Sequence, residues 1–425
     1  MIWATGVLVY VLAMFHRTSL GVAGLEAADR FHVGPTALGM FTVLQVGLYA
    51  FMQIPTGLLV DHFGPRKVLT AAALLMGAGQ LMFAMAASYP LGLAARAVLG
   101  VGDAMTFVSV LRLVAAHFPA RRYAVLTAVT GTLGALGNLV ATVPLTLMLG
   151  HAGWTTTFAA AGAVTVVYAM IAALRLRDVP AGTVVTEARP AVSLRRVTGD
   201  VTRSWNVPGT RLGFWAHFST MFAPAVLGLL WGFPFLVEAQ GLSPHAAGSV
   251  LSVLVLGVLV GGPLVGLLVS RKPQWRIPFV IGYLSSTLLI WAVLLGWPGG
   301  HAPLAVLMAA FAWLSVGGPA SSISFALARD YNPMRRVGTA SGLVNVGGFV
   351  ATTISALSVG LLLDLTGSFR IALLSVVALL LLGSWRTLVW WRRARAAVFA
   401  AQERGEQVPV PLRQRRRWDV EAVAA

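Results

Sequence analysis

The sequence predicts an all-α integral membrane fold of twelve transmembrane helices in two pseudo-symmetric six-helix bundles. Three observations carry that prediction. Of 425 residues, 57% are hydrophobic and 11% charged, and the mean hydropathy is +0.80, more apolar surface than one globular core buries. The apolar residues gather in runs of roughly 20, the length that crosses a hydrocarbon core about 30 Å thick. One long polar stretch, 175–211, divides those runs six and six.

In order, the runs are 2–25, 35–60, 67–87, 90–117, 123–149, 153–174, 213–238, 245–269, 275–297, 302–328, 337–363 and 369–391. None alternates polar and apolar residues as barrel strands do, so each reads as a helix that satisfies its own backbone. The first run starts at Ile2 without a basic lead-in, outlasts a signal-peptide core and has no small-residue cleavage pattern, so it is expected to be a retained helix. The bundles are expected over 1–174 and 212–391, with a cytoplasmic linker at 175–211 and a basic tail at 392–425.

Orientation follows from Lys and Arg, which mark cytoplasmic loops. Arg66 and Lys67 follow the second run, Arg121 and Arg122 the fourth, and seven Arg lie from Arg175 to Arg211. Arg271, Lys272 and Arg276 follow the eighth, and Arg329, Arg335 and Arg336 the tenth. The opposite loops hold Arg30, Arg370 and the acids Glu26, Asp29, Glu238 and Asp364, so both termini are expected in the cytoplasm. These loops and the tail (Arg392, Arg393, Arg395, Arg404, Arg413 and Arg415–Arg417) account for the net charge of +17 without a nucleic-acid partner. The tail has two open readings, a segment lying on anionic lipid head groups and a solvated end broken by Pro409 and Pro411. With no cysteine there is no disulfide or thiolate site, and no metal or cofactor motif is present.

The two halves echo one another. Pro119-Ala-Arg121-Arg122 returns as Pro333-Met-Arg335-Arg336, 214 positions on, and the Gly57–Asp61 segment returns as Gly266-Leu-Leu-Val-Ser270-Arg271, 209 positions on. Such a duplication implies a central cavity between halves. Gly131, Gly134 and Gly137 in the fifth run and Gly342, Gly347 and Gly348 in the eleventh suit close helix packing.

Between the second and third runs stands Gly57-Leu-Leu-Val-Asp61-His62-Phe-Gly64-Pro65-Arg66-Lys67. Gly64 and Pro65 suit a tight reversal, and Gly57 permits close helix contact. Asp61 falls at a run end, where the positive N-terminus of a neighbouring helix could latch it. The spacing Gly-x3-Asp-x2-Gly-x-Arg-Lys resembles the loop signature of the major facilitator superfamily of secondary transporters, with His62 in place of the usual basic residue. Arg96-Ala-Val-Leu-Gly100-Val-Gly102 is similar to that family's helix-4 pattern. The resemblance implies a conformational gate at Gly57, Asp61, Gly64, Arg66 and Lys67; the repeat extends it to Arg121, Arg122, Ser270, Arg271, Arg335 and Arg336, and Arg112, near the same end of its run, is expected to contact helix ends or this latch. Asp61 is its critical member in the outward-open state, and Ser270, standing where an acid is expected, marks a weaker twin. The fifth run has no Gly-Pro pair of the kind drug/proton antiporters carry, which weakens an efflux reading.

Ionisable groups inside a bilayer cost about 2.5–3.5 kcal/mol each, which makes them functional candidates. Arg17 lies in Phe15-His16-Arg17-Thr18-Ser19, similar to the helix-1 Asp-Arg-x-Asn stretch of organic-anion and sugar-phosphate members, with His16 where Asp is usual. Arg96, Gly100 and Asp103 share a helical face and are expected to line the cavity; Arg112 lies on roughly the opposite side. Asp103 is the candidate proton carrier, and a permanent ion pair with Arg96 or Arg17 is its open alternative. Arg17, His16, Arg96, Asn138, His217 and Asn345 form the candidate substrate-binding set. Snorkelling for Arg17 and interhelical bonding for Asn138 and Asn345 stay open. Trp3, Trp297, Trp390 and Trp391 read as interfacial anchors.

The function expected is alternating-access transport of a small polar or anionic organic solute across the bacterial plasma membrane. Protons are the expected coupling ion, anionic lipids meet the basic loops and tail, and the protein is expected to be a monomer. A proton-driven exporter of amphipathic compounds is the alternative. An enzyme would need a nucleophile cluster, and a channel a recurring ring of charge; the sequence offers neither.

Overall fold

The computed structural model describes residues 1–33, 35–180, 194–406 and 408, and among them every regular element is helical. The first half holds α1 (Ile2–Val22), α2 (Gly24–Phe31), α3 (Pro35–Phe63), α4 (Pro65–Met85), α5 (Tyr89–Ala104), α6 (Thr106–His117) and α7 (Ala120–Arg175). After α8 (Leu194–Trp205) come α9 (Pro208–Val226), α10 (Gly232–Pro234), α11 (Pro244–Arg271), α12 (Arg276–Leu295), α13 (Leu304–Leu314), α14 (Gly317–Tyr331), α15 (Val337–Thr366) and α16 (Phe369–Glu403). Among the described residues nine helical stretches are long and apolar enough to cross a membrane. With α1 and α9–α10, which carry more polar residues including Arg17 and His217, and with the first arm of α7, the described helices make up the twelve spans of the fold.

Local chemistry explains where these elements depart from the predicted runs. The first run stops at Val22, and α2 follows as a separate helix with Glu26 in its first turn and Arg30 in its last. Arg30 donates to the carbonyls of Ala86 (2.9 Å) and Ala84 (3.4 Å), satisfying the end of α4. The fifth and sixth runs are two arms of α7, which reverse at Gly153, where φ of 70° suits a residue without Cβ. The fourth and tenth runs are each broken, after Ala104 and after Leu314, a shared irregularity of the two halves that composition did not reveal.

Two expectations need correction. The solvated-end reading of the tail fails for its first part, because α16 runs on to Glu403 and buries Ala394, Val398 and Phe399 at helical spacing. Beyond 408 the tail, with Arg413 and Arg415–Arg417, lies outside the described residues, as do Glu187, Arg189 and Pro190 of the linker. Trp390, expected at the interface, is only 5% exposed and packs with Leu212, Ile277, Leu327 and Ala394.

The chain divides into two compact units. The first comprises Met1–Phe118, Thr132–Val201 and Met334–Gly342; the second comprises Pro119–Gly131, Thr202–Pro333 and Leu343–Ala425. Each thus includes the opening residues of a helix that continues in the other. In the first unit Phe31, Phe41, Phe83 and Phe158 form an aromatic core with Trp154, their rings meeting edge to face or tilted at 4.6–5.9 Å.

Candidate functional site

The charged residues of α1 and α5 meet in the first unit. Asp103, fully buried at the next-to-last residue of α5, just before the break between α5 and α6, accepts from Arg17 Nε at 2.9 Å and Nη2 at 2.8 Å. This forked pair is stronger and more directional than a single-point contact. The Arg17 guanidinium stacks on the Tyr49 ring (4.3 Å), and its side chain keeps 27% exposure where Asp103 keeps none. Arg17 is therefore the accessible member of the pair.

Arg96 shares the face of Asp103 but pairs elsewhere. It donates to the His16 carbonyl at 3.2 Å and to Gln45 Oε1, while Gln45 Nε2 donates to Asp103 at 3.4 Å. Gln45 thus bridges the two charges. At 1% exposure Arg96 does not line a solvent-facing surface as its spacing suggested, because His16 and Gln45 enclose it and Phe83 lies 5.4 Å from its guanidinium carbon. Its Nε has no hydrogen-bond partner. The cluster holds two guanidinium groups and one carboxylate.

Around them, neutral polar groups tie α1 to α7. His16 Nε2 meets Thr165 Oγ1 at 2.8 Å in a fully buried contact, and Thr18 donates to Asn138 Oδ1 at 2.7 Å. Gly137 makes this possible, since a Cβ there would meet Val11 O and Met14 Cβ.

The second unit presents a neutral counterpart. His217 Nε2 lies 3.2 Å from Asn345 Oδ1, and its Nδ1 lies 3.4 Å from Ser321 O. Gly348 leaves the space the imidazole fills: a Cβ would come within 2.8 Å of His217 Nε2. Its buried charges are at another level, where Arg276 pairs with Asp330 and Arg329 lies 3.6 Å from the same carboxylate.

The loop motif sits at a helix N-terminus within the first unit. Asp61 accepts from Gly338 N (2.9 Å), Thr339 N (2.7 Å) and Thr339 Oγ1 (2.9 Å), groups that open α15 and have no partner within their own helix. Arg112 Nε donates to it at 3.2 Å. A Cβ on Gly57 would lie 2.5 Å from Gly338 O, so this glycine sets the distance at which Asp61 reaches the amides. Gly57→Ala is expected to push the helix ends apart at a cost of about 1–3 kcal/mol, read as a lower melting temperature. Gly64 takes φ of 85° and packs on Asp178, whose carboxylate accepts from Arg66 N at 2.9 Å; Arg66 Nε donates to Ala173 O at 2.9 Å.

A weaker version occupies the second unit. Ser270 Oγ accepts from Val125 N at 3.1 Å, and Gly266 stands where Gly57 does, a Cβ there meeting Val125 Cα and Ala128 Cβ at 2.9 Å. Val125 and Thr339 are 214 positions apart, the spacing of the loop repeat. Lys67, Arg121, Arg122, Arg271 and Arg335 are exposed and Arg336 partly so; none contacts Asp61 or Ser270 in the way Arg112 contacts Asp61. Sequence reasoning missed Gln45, Tyr49, Asp178 and the Arg276–Asp330 pair. For Gln45 a signal existed, an amide in the middle of an apolar run.

Twelve helical spans in two echoing halves define a polytopic membrane transporter, not an enzyme. The chain belongs to the Major Facilitator Superfamily, whose model matches residues 6–318 and 213–423. It is 24% identical over 397 residues to a probable sulfoacetate transporter, SauU, of Cupriavidus necator, covering 90% of this chain and 91% of that protein. It is 25% identical over 400 residues to the probable galactarate/D-glucarate transporter GarP of Escherichia coli, covering 85% and 87%. Among solved structures, FucP in the outward conformation is similar with a TM-score of 0.73 at 16% identity, covering 91% of this chain and 98% of that one.

Proposed function

We propose that the chain is a secondary active transporter of a small organic acid, moving it by alternating access in the bacterial plasma membrane with both termini cytoplasmic. The charge balance around Arg17 supports this reading. Two guanidinium groups face one carboxylate, so the cluster carries an excess positive charge in surroundings where an unbalanced charge is costly. A carboxylate or sulfonate offers the missing anion, and Arg17, partly exposed, is the group to meet it. The relatives fit the same chemistry: sulfoacetate, galactarate, D-glucarate, D-galactonate and hexuronates, in those proteins' names, are all organic anions.

Asp103 is the proposed proton carrier. Protonation would release Arg17 from its forked bond, leaving the guanidinium free for a substrate anion, so proton and solute would load together. His16, Asn138, His217 and Asn345 would shape the site by hydrogen bonding, and Asp61 with its Ser270 twin would hold the cytoplasmic ends closed in the outward-open state.

Proteoliposomes test the reading. Uptake of a radiolabelled sugar acid or sulfonate should rise when the outside is acidified. Arg17→Ala should abolish it; Arg370→Ala, an exposed change outside the gate and the candidate site, should leave it within about twofold, as surface substitutions usually do. Equal uptake with and without the pH gradient would remove proton coupling, and uptake that survives Arg17→Ala would remove the anion site.

A further inference from the structure

Where α9 begins and α16 leaves the expected twelfth run, arginines and indoles interleave within the second unit. The Arg211 guanidinium lies 5.4 Å from the Trp205 ring and 4.7 Å from Trp390. Arg386 lies 5.1 Å from Trp215, 5.5 Å from Trp385 and 5.9 Å from Trp390; Arg393 covers Trp390 at 4.8 Å. Such stacking holds the guanidinium planes in place but leaves their charge uncompensated.

The cluster contains no acid. Arg211 donates to Trp205 O and Asn206 Oδ1, both at 2.7 Å, and among the described residues no carboxylate pairs with Arg211, Arg386 or Arg393. They act on each other instead, since Arg211 lies within the field of both Arg393 and Arg386. Two donors at the same place, Arg386 Nε and Trp390 Nε1, are buried without a hydrogen-bond partner and sit one helical turn apart on α16. Three cations around one indole with no carboxylate among them favour a counter-anion.

Depth identifies that anion. At 1.5 Å per residue Arg386 stands about 25 Å along α16 from Phe369, and Arg393 roughly 36 Å, which brackets the edge of a hydrocarbon core about 30 Å thick. Trp385 is 57% exposed there, an amphipathic ring at the level it favours in a bilayer. We propose that Arg211, Arg386 and Arg393 bind the phosphate of an anionic glycerophospholipid in the leaflet next to the Arg-rich loops, with Trp385 against its glycerol and upper chains. The lipid relieves repulsion among the three cations and pins the start of α9 to α16.

Native mass spectrometry and thermal melts of the purified protein decide it. Phosphatidylglycerol is expected to be retained and to raise the melting temperature; phosphatidylcholine and inorganic phosphate at equal concentration are not. Arg386→Gln with Arg393→Gln should weaken phosphatidylglycerol binding by roughly fivefold per charge removed, the effect of one basic residue at an anionic surface. The corresponding Lys pair should recover most of it. Equal retention of the two lipids, unchanged binding in the double Gln variant, or equal stabilisation by inorganic phosphate would overturn the proposal. If the Gln variants do not fold, the three-ligand comparison on the unaltered protein still gives the answer.

Discussion

Asp103→Asn is expected to abolish uptake driven by a pH gradient while leaving substrate exchange at zero gradient in place. Asn keeps the size of the side chain and can still accept from Arg17, but it cannot change charge, so no proton is carried. The forked Arg17–Asp103 pair is the observation behind this expectation. Gradient-driven flux should fall on the order of 100-fold, whereas counterflow of labelled substrate should stay within a few-fold. Truncation to Ala is a poorer test, because removing one partner of a buried pair costs about 3–5 kcal/mol and lowers stability as well. Gradient-driven flux that persists in the Asn variant would transfer coupling to another group.

Asp61→Asn should produce the second large effect, on the balance of conformations and not on substrate affinity. Asp61 accepts three hydrogen bonds from the start of α15 and one from Arg112. Hydrogen bonds to a charged acceptor contribute about 1.5–3 kcal/mol each. Losing the charge should favour the state with its cytoplasmic ends open by roughly 3 kcal/mol, on the order of 100-fold in the ratio of states. Ser270→Ala removes one neutral bond, worth about 0.5–1.5 kcal/mol, and should shift the ratio by tenfold or less. The chain has no cysteine, so the shift can be read by alkylation of a single introduced thiol. Val60→Cys suits this, being fully buried beside Gly338; its labelling should accelerate in the Asp61→Asn background. Equal rates in both backgrounds would reduce Asp61 to a local cap.

Much of the site was legible because helices impose spacing. Arg96 and Asp103, seven apart, had to share a face of α5, and they do. Which cation would hold Asp103 was not legible, because Arg17 lies 86 positions away on another helix and Gln45 on a third. The same distinction explains Trp390: position near a run end suggested the interface, whereas packing on Leu212 and Ile277 buries it. The extension of α16 was hidden for a related reason, since its arginines dominate the composition while its small and apolar residues recur every three or four positions.

The sequence by itself determined the membrane class, the twelve spans, the duplication and the family, because these follow from run length, loop charge and short motifs read along the chain. Only the tertiary structure decided that Arg17 and not Arg96 holds Asp103, that the start of α15 supplies the amides for Asp61, and that Arg211, Arg386 and Arg393 converge. Hydropathy acts on each residue independently and survives any folding, whereas an ion pair or a charge cluster exists only when distant segments are brought within a few ångströms.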